Sequence, residues 1–285
     1  MIEWLVTPLS YTFMQRGLFA AIIVGVVCSI IGCFVVLRSM AFLGDAMAHA
    51  ILPGIAVAYL IGGSLTVGAL VAAVAVALGI GFLSKQGTIK EDTAIGILFT
   101  AALAIGIALI STIRTYAVDL THILFGNMLG VNKIDLILTA IIGSLIIITI
   151  IIFYRELLLI SFDPIFAITI RLKAEFYRYL LLIIIALTIV ISIQTVGVVL
   201  VAAMLVTPGA TAYLLVKRLH FMMLISAGIG IISSFAGLYI SYYANIASGA
   251  SIVLTATGIF VLVFLFSPRR GIIWNLFKQK RARSI

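Results

Sequence analysis

Charged residues are scarce in this sequence of 285 residues, and their scarcity sets the class of protein. Asp, Glu, Lys and Arg make up 9% of the chain, whereas a soluble globular protein carries about 25%. Hydrophobic residues make up 64%, and the mean hydropathy is +1.35. Such a chain cannot cover its own surface in water, which excludes a soluble enzyme and a disordered regulator. The composition therefore indicates an integral membrane protein.

Several motifs of enzymes are missing as well. The chain has no G-x-x-x-x-G-K-[ST] phosphate-binding loop, so it cannot bind and hydrolyse ATP by that route. It also lacks the H-E-x-x-H and G-x-S-x-G motifs. The two cysteines, Cys28 and Cys33, point to different faces of one helix and are not expected to form a disulfide. Energy for any transport must come from an ion gradient or from a separate subunit.

Long apolar runs are abundant, and each is long enough to cross a membrane as a helix of about 20 residues. We expect an all-α integral membrane protein, a compact bundle of nine transmembrane helices in a single domain over residues 1–285. The last run is short and the second contains Pro53, so eight spans is the alternative. The predicted spans are residues 17–37, 42–62, 64–83, 93–113, 134–153, 179–197, 198–216, 221–241 and 252–267.

Lysine and arginine residues predict the orientation of these spans. If the C-terminus is cytoplasmic, 15 of the 18 basic residues lie inside, as the positive-inside rule requires. Only Arg16, Arg114 and Lys133 then lie outside, and nine spans put the N-terminus outside as well. We interpret the basic tail over residues 268–285 as an orientation signal that contacts anionic lipid, not as a nucleic-acid-binding segment.

One acidic residue, Asp45, falls at the beginning of an apolar helix, and the other eight fall in the connections between helices. An ionisable side chain in the bilayer costs about 2.5–3.5 kcal/mol, so its presence suggests a function. His49 follows one helical turn later and lies on the same face. Carboxylate oxygen and imidazole nitrogen together suit Mn²⁺, Zn²⁺ or Fe²⁺ better than Ca²⁺ or Mg²⁺.

The pair would form half of a divalent-metal site, and a symmetric dimer would supply two oxygen and two nitrogen ligand groups. The alternative is that Asp45 and His49 form a buried hydrogen-bonded pair that only ties helices together. Pro53 and Gly54 follow, and they would kink the helix and leave backbone carbonyls open to a pathway.

Two further segments are candidates for function. Asp119 and His122 form a second acid–histidine pair in an outer connection; they are a possible route for metal at the outer surface, although a solvated loop pair is the favoured interpretation. Residues 163–176 predict a short amphipathic helix at the cytoplasmic surface, with Asp163 as its cap and Pro164 in its first turn. This helix would either anchor to lipid or dock a cytoplasmic subunit.

Four stretches resemble the membrane permease subunit of manganese/zinc-type ABC importers. The most specific is residues 38–56 (RSMAFLGDAMAHAILPGIA), and residues 124–131 (LFGNMLGV) and 194–212 (QTVGVVLVAAMLVTPGATA) agree with the same family. Residues 161–167 (SFDPIFA) look like the segment that precedes the coupling helix in that family, except that Ile165 stands where an acidic residue is common. The motifs are colinear over nearly the whole chain.

The resemblance implies a type II ABC-importer-like permease that forms a homodimer. Its partners would be two cytoplasmic ATPase subunits, which bind the ATP, and an extracytoplasmic metal-binding protein. Asp45 and His49 match the acid-x-x-x-His motif that coordinates metal in the translocation pathway. The residues expected to couple the permease to the ATPase are Asp163, Pro164, Phe166, Arg171 and Lys173.

The expected function is therefore ATP-driven import of a divalent transition metal, Mn²⁺ in the first place, by a transport subunit that is not itself an enzyme and holds no cofactor. Zn²⁺ or iron is the alternative cargo. More distant alternatives are a metal carrier driven by an ion gradient and an intramembrane metalloenzyme. The expected location is the cytoplasmic (inner) membrane of a cell.

Overall fold

The computed structural model describes residues 7–85, 89–112 and 130–267. In these ranges the chain forms α-helices and one short 3₁₀ turn, without any β-strand. The helices are α1 (Thr12–Leu37), α2 (Leu43–Ala50), α3 (Leu52–Leu60), α4 (Leu65–Ser84), α5 (Glu91–Ser111), α6 (Lys133–Ile152), α7 (Tyr154–Phe162), α8 (Pro164–Thr169), α9 (Ala174–Val196), α10 (Val198–Leu215), α11 (Leu219–Ala244) and α12 (Ser248–Phe266).

Nine spans in the described ranges are long and apolar enough to cross a membrane, with α2 and α3 counted as one interrupted span. This confirms the all-α membrane fold and the prediction of nine spans over eight. Some helices begin earlier than the apolar runs: α1 begins at Thr12 and α9 at Ala174, where the sequence predicted residues 17 and 179. Hydropathy locates only the part of a helix inside the hydrocarbon, and these helices continue beyond it.

Helix α1 is central and contacts α6, α9, α10 and α11. Glycines allow the close approach of its backbone to its neighbours, as is common where lipid gives helices no hydrophobic drive to associate. A methyl group on Gly230 of α11 would lie 2.6 Å from Ser29 Oγ and 2.7 Å from the carbonyl oxygen of Gly25. A methyl group on Gly32 would overlap the carbonyl of Leu205 in α10. The packing of the bundle therefore depends on these small residues.

Small polar side chains connect the same helices. Ser226 and Ser234 of α11 donate hydrogen bonds to backbone carbonyls of α1 at 2.9 and 3.0 Å. Cys28 Sγ lies 3.5 Å from Ser192 Oγ of α9, and both Cys28 and Cys33 are free and buried. The cysteines thus serve as small packing residues. These contacts satisfy polar groups that would otherwise face an apolar interior.

A break separates α2 from α3 at Ile51. Pro53 stands in the first turn of α3 and has no N–H, so the helical hydrogen bond to the carbonyl of His49 is missing. The sequence predicted a kink from Pro53 and Gly54, and the interruption lies two residues before the proline. The two half-helices run on as one span, and the carbonyl of His49 accepts the N–H of Ile51 at the break.

The segment after α7 differs from its prediction. Residues 163–176 were expected to form one helix, but α8 has only six residues, and α9 begins at Ala174. The reason is a Schellman motif: Arg171 adopts a left-handed conformation with φ 59°, and the N–H of Leu172 donates to the carbonyl of Ala167 at 3.0 Å. This motif ends the helix and turns the chain into α9.

The contact between α1 and α11 gives a test of the packing. Gly230→Ala should destabilise the protein by about 1–3 kcal/mol, because its methyl group would be forced against α1. Gly228→Ala, two residues earlier, is the matched control, since a methyl group there meets open space. That control should be neutral or stabilising by up to about 1 kcal/mol, as alanine favours a helix.

Thermal unfolding in detergent, followed by the loss of the monodisperse peak on size exclusion, measures both variants. Equal unfolding temperatures for Gly230→Ala and Gly228→Ala would contradict the close α1–α11 contact.

Candidate metal site

Asp45 and His49 lie one turn apart on α2, as the sequence predicted. Asp45 Oδ1 is 3.7 Å from His49 Nε2. This distance is too long for a hydrogen bond between them. It is close to the separation of about 3.5 Å between two ligand atoms that each lie about 2.1 Å from a tetrahedral metal ion. The two side chains are therefore arranged so that an ion could lie between them.

The remaining six residues of α2 are buried, so Asp45 and His49 are the only side chains that this helix presents outward. The Asp45 side chain is 59% exposed and the His49 side chain 29%. Gly44 fixes this orientation because it packs closely on α10, where a methyl group would lie 3.0 Å from a Leu205 side-chain carbon. Met47 is buried on the opposite side and packs in the core instead of reaching the pair.

The pair lies in the first two turns of the interrupted span Leu43–Leu60. The ring of Phe99 in α5 lies 6.1 Å from the His49 ring, measured between centroids. Phe99 follows Glu91, the first residue of α5, by eight residues, a distance of about 12 Å along the helix. The hydrocarbon core is about 30 Å thick. Asp45 lies one turn nearer the beginning of the span than His49. A carboxylate within a membrane span does not face lipid without a cost, so its outward face requires water or another protein surface.

The described residues of one chain supply too few side-chain ligands for a complete metal site. Across the ranges that the structure describes, no three His, Cys, Asp or Glu side chains gather at one place. The second predicted pair, Asp119 and His122, lies outside the described residues, as does the basic tail over 268–285. Within the described part of the chain, only backbone carbonyls remain to complete the coordination around Asp45 and His49; water or groups from another chain would supply further ligands.

The predicted coupling residues surround α8. Asp163 caps this helix, its Oδ1 accepting the N–H of Phe166 at 2.9 Å, and Pro164 is its first residue. Arg171 and Lys173 do not lie on the helix: Arg171 closes it, and Lys173 precedes α9. The side chains that α8 leaves largely exposed are Ile165, Phe166 and Ile168.

A group of charged side chains was not predicted from the sequence. Arg38, at the end of α1, pairs with Glu91 at the beginning of α5. Arg178 of α9 lies 4.0 Å from the same Glu91 oxygen. Burial lowers the pKa of Arg38, and the nearby Glu91 carboxylate opposes this change. The only signal in the sequence was that these residues border predicted spans on the same side of the membrane.

Comparisons with known proteins agree with this architecture. Residues 10–267 match the ABC 3 transport family. The chain is 50% identical over 277 residues to the manganese transport system membrane protein MntC of Halalkalibacterium halodurans, a match that covers 97% of this chain and 95% of the relative. It is 42% identical to a Haemophilus influenzae protein named for iron transport, with 95% and 99% of the two chains covered.

A solved structure, PsaBC from Streptococcus pneumoniae in complex with Fab, contains a chain that matches with a TM-score of 0.83 at 40% identity. That match covers 98% of this chain and 100% of the other. The matches extend over almost the full length of the relatives, and they confirm the resemblance found in the sequence motifs. The chain therefore belongs to the ABC 3 transport family, as a membrane permease subunit of an ABC transporter.

Proposed function

We propose that this protein is the permease of an ATP-driven importer of Mn²⁺ and that the ion passes between two copies of the chain through Asp45 and His49. The observation that carries the proposal is the outward orientation of this pair on a membrane-spanning helix. A single chain leaves the carboxylate uncovered at a depth where lipid would be unfavourable. A second copy would cover it and would bring a second carboxylate and imidazole.

The surface next to the pair suits contact with a second copy. Gly96, Thr100 and Ala104 of α5 are exposed and follow one another at four-residue spacing beside Phe99. Small residues in this pattern let two helices approach closely within a membrane. By contrast, α6 exposes large aliphatic side chains such as Ile141, which suit lipid. The two-fold axis of the dimer would then pass close to His49.

Manganese is the favoured cargo on two grounds. The oxygen and nitrogen ligands suit Mn²⁺, Zn²⁺ and Fe²⁺, and a relative at 50% identity is named for manganese transport. Iron remains an alternative cargo because one relative is named for iron transport. Zinc remains an alternative because it also binds oxygen and nitrogen ligands. His49 binds metal only as the neutral imidazole. Because the ion must be released, the site is expected to bind it weakly.

The exposed face of α8 is the proposed contact with the ATPase, with one ATPase subunit per permease copy. Ile165, Phe166 and Ile168 form an apolar projection near the beginning of α9, the helix that carries Arg178. We assign this end to the cytoplasm, because the basic residues gather there. The metal-binding protein would then deliver its ion at the opposite end, where Asp119 and His122 fall in the sequence.

The remaining assignments follow from the same orientation. Residues 1–285 form one permease domain, with the N-terminus outside and the basic tail over 268–285 in the cytoplasm. ATP hydrolysis in the partner subunits would act through residues 163–173, so that the pathway alternates between outward and inward access.

Asp45→Asn should reduce ATP-dependent uptake of radioactive Mn²⁺ by at least about tenfold, because the amide keeps the shape of the side chain but not its charge. The assay uses proteoliposomes that hold the permease, its ATPase and the loaded metal-binding protein. Asp135→Asn, at the exposed beginning of α6, removes the same charge away from the site and should leave uptake near wild type. Normal uptake by Asp45→Asn would overturn the site assignment.

The dimer surface is tested by cross-linking, which is simple here because both native cysteines are buried. Thr100→Cys should give a dimer on mild oxidation in membranes, since the two α5 helices would lie close together across the axis. Ile141→Cys, on the face of α6 assigned to lipid, should remain monomeric on denaturing gels. Efficient cross-linking at residue 141 but not at residue 100 would place the interface elsewhere.

Competition between metals tests the cargo. Uptake of radioactive Mn²⁺ is measured with and without internal ATP, in the presence of a tenfold excess of unlabelled Zn²⁺ or Fe²⁺. Uptake of radioactive Zn²⁺ and of radioactive Fe²⁺ is measured in parallel. We expect ATP-dependent accumulation of Mn²⁺ and no comparable accumulation of labelled zinc or iron. Accumulation of zinc or iron without manganese would leave the proposed permease architecture intact and would overturn manganese as the cargo. Uptake that persists without the ATPase and collapses with an uncoupler would instead indicate a gradient-driven carrier.

A further inference from the structure

Three charged side chains meet below the candidate metal site, at the end of the bundle that carries α8. One Glu91 oxygen contacts Arg38 and lies 4.0 Å from Nη1 of Arg178. The side chains of Arg38, Glu91 and Arg178 are only 9%, 18% and 15% exposed. We call these three residues the charged triad. It is more enclosed than the neighbouring pair of Lys85 and Glu175, which is about half exposed on each side.

Burial of this kind is a weak source of stability. Charges removed from water lose hydration, and apolar side chains of similar volume often serve as well or better. The triad also leaves Nη1 of Arg38 and Nε of Arg178 without a hydrogen bond. A contact that served only stability would not need three buried charges with unbonded nitrogen atoms. The role of the triad must therefore lie in the helices that it connects.

Those elements are the ones on which transport depends in the proposed function. Arg38 ends α1 and lies seven residues before Asp45, in the turn that leads into α2. Glu91 begins α5, whose Phe99 contacts His49. Arg178 belongs to the first turns of α9, which begins directly after the turn that closes α8. The triad thus connects the segment assigned to the ATPase with both helices that border the metal site.

Arg178 is held in place by more than its ion pair. Its Nη2 donates to the carbonyl of Gly81 at 2.7 Å and its Nη1 to the carbonyl of Ser84 at 3.2 Å, at the end of α4. These charge-assisted bonds fix the guanidinium in a planar, directional geometry. A displacement of α9 would therefore be passed to α4 and α5 together instead of being absorbed by a mobile side chain.

We propose that Arg38, Glu91 and Arg178 are positioning residues that transmit motion of the α8 segment to Asp45 and His49. The proposal rests on the proposed function, because it assumes that α8 contacts the ATPase and that the pair on α2 binds the ion. The triad would hold the lower ends of α1, α5 and α9 in register, so that movement of the beginning of α9 shifts α2 and α5 as one unit.

Glu91→Gln in the complete transporter tests this linkage. The variant should still assemble with the ATPase and hydrolyse ATP, but the number of ATP molecules hydrolysed per Mn²⁺ imported should rise about tenfold. The ratio separates a linkage from a structural role. Misfolding lowers the amount of active complex and reduces hydrolysis and uptake in proportion, which leaves the ratio unchanged.

Asp92→Asn is the matched control, since it removes the same charge from the next residue of the same helical turn, where the side chain is exposed. Its ratio should equal that of wild type. Arg38→Lys keeps the charge but loses the planar fork, and its ratio should fall between those of wild type and Glu91→Gln.

A normal ratio in Glu91→Gln, at any level of expression, would overturn the linkage while leaving the proposed function intact. An equal rise in Asp92→Asn would also overturn it, because the effect would then follow from surface charge alone. A wild-type complex without ATP-dependent Mn²⁺ uptake would remove the proposed function and the linkage together.

Discussion

A carboxylate cannot face hydrocarbon without a cost of several kcal/mol, and this constraint accounts for much of the molecule. The Asp45 side chain is exposed on the outward surface of a membrane-spanning helix, so that surface requires water or another protein surface beside it. The rest of α2 is buried because its apolar residues and Gly44 pack on the bundle. Because the other faces of α2 are packed against the bundle, the side chains of Asp45 and His49 can only point outward.

Close contacts between helix backbones make the bundle around the site rigid. Helix α1 contacts its neighbours at glycine and serine positions, where backbones nearly touch and hydroxyl groups bond to carbonyls across helices. Such contacts tolerate little displacement, because protein interiors are close-packed. Movement is more readily accommodated where regular hydrogen bonding is already interrupted, namely at the break beside Pro53 and in the turn at Arg171. Both interruptions lie next to residues assigned to transport.

The sequence predicted the spans well because length and hydropathy are local properties of each segment. It also predicted that Asp45 and His49 share one face of a helix, since a charge within an apolar run is conspicuous and helical periodicity places the histidine beside it. It missed the end of α8, where a left-handed arginine closes the helix without the usual glycine. It also missed the triad, because Arg38, Glu91 and Arg178 are far apart in the chain and only the fold brings them together.

The unequal lengths of the spans have a consequence for the surrounding lipid. Helices α1 and α11 have 26 residues each and measure about 39 Å, whereas α10 and the interrupted span from α2 to α3 measure about 27 Å. A bilayer of one thickness matches both groups if the longer helices tilt or extend beyond the hydrocarbon. In a thicker membrane the long helices would be more upright. The hydrophobic mismatch of the short spans would increase, including that of the span with Asp45. The acyl-chain length of the lipid therefore affects the helix tilt in this transporter and the fit of its short spans.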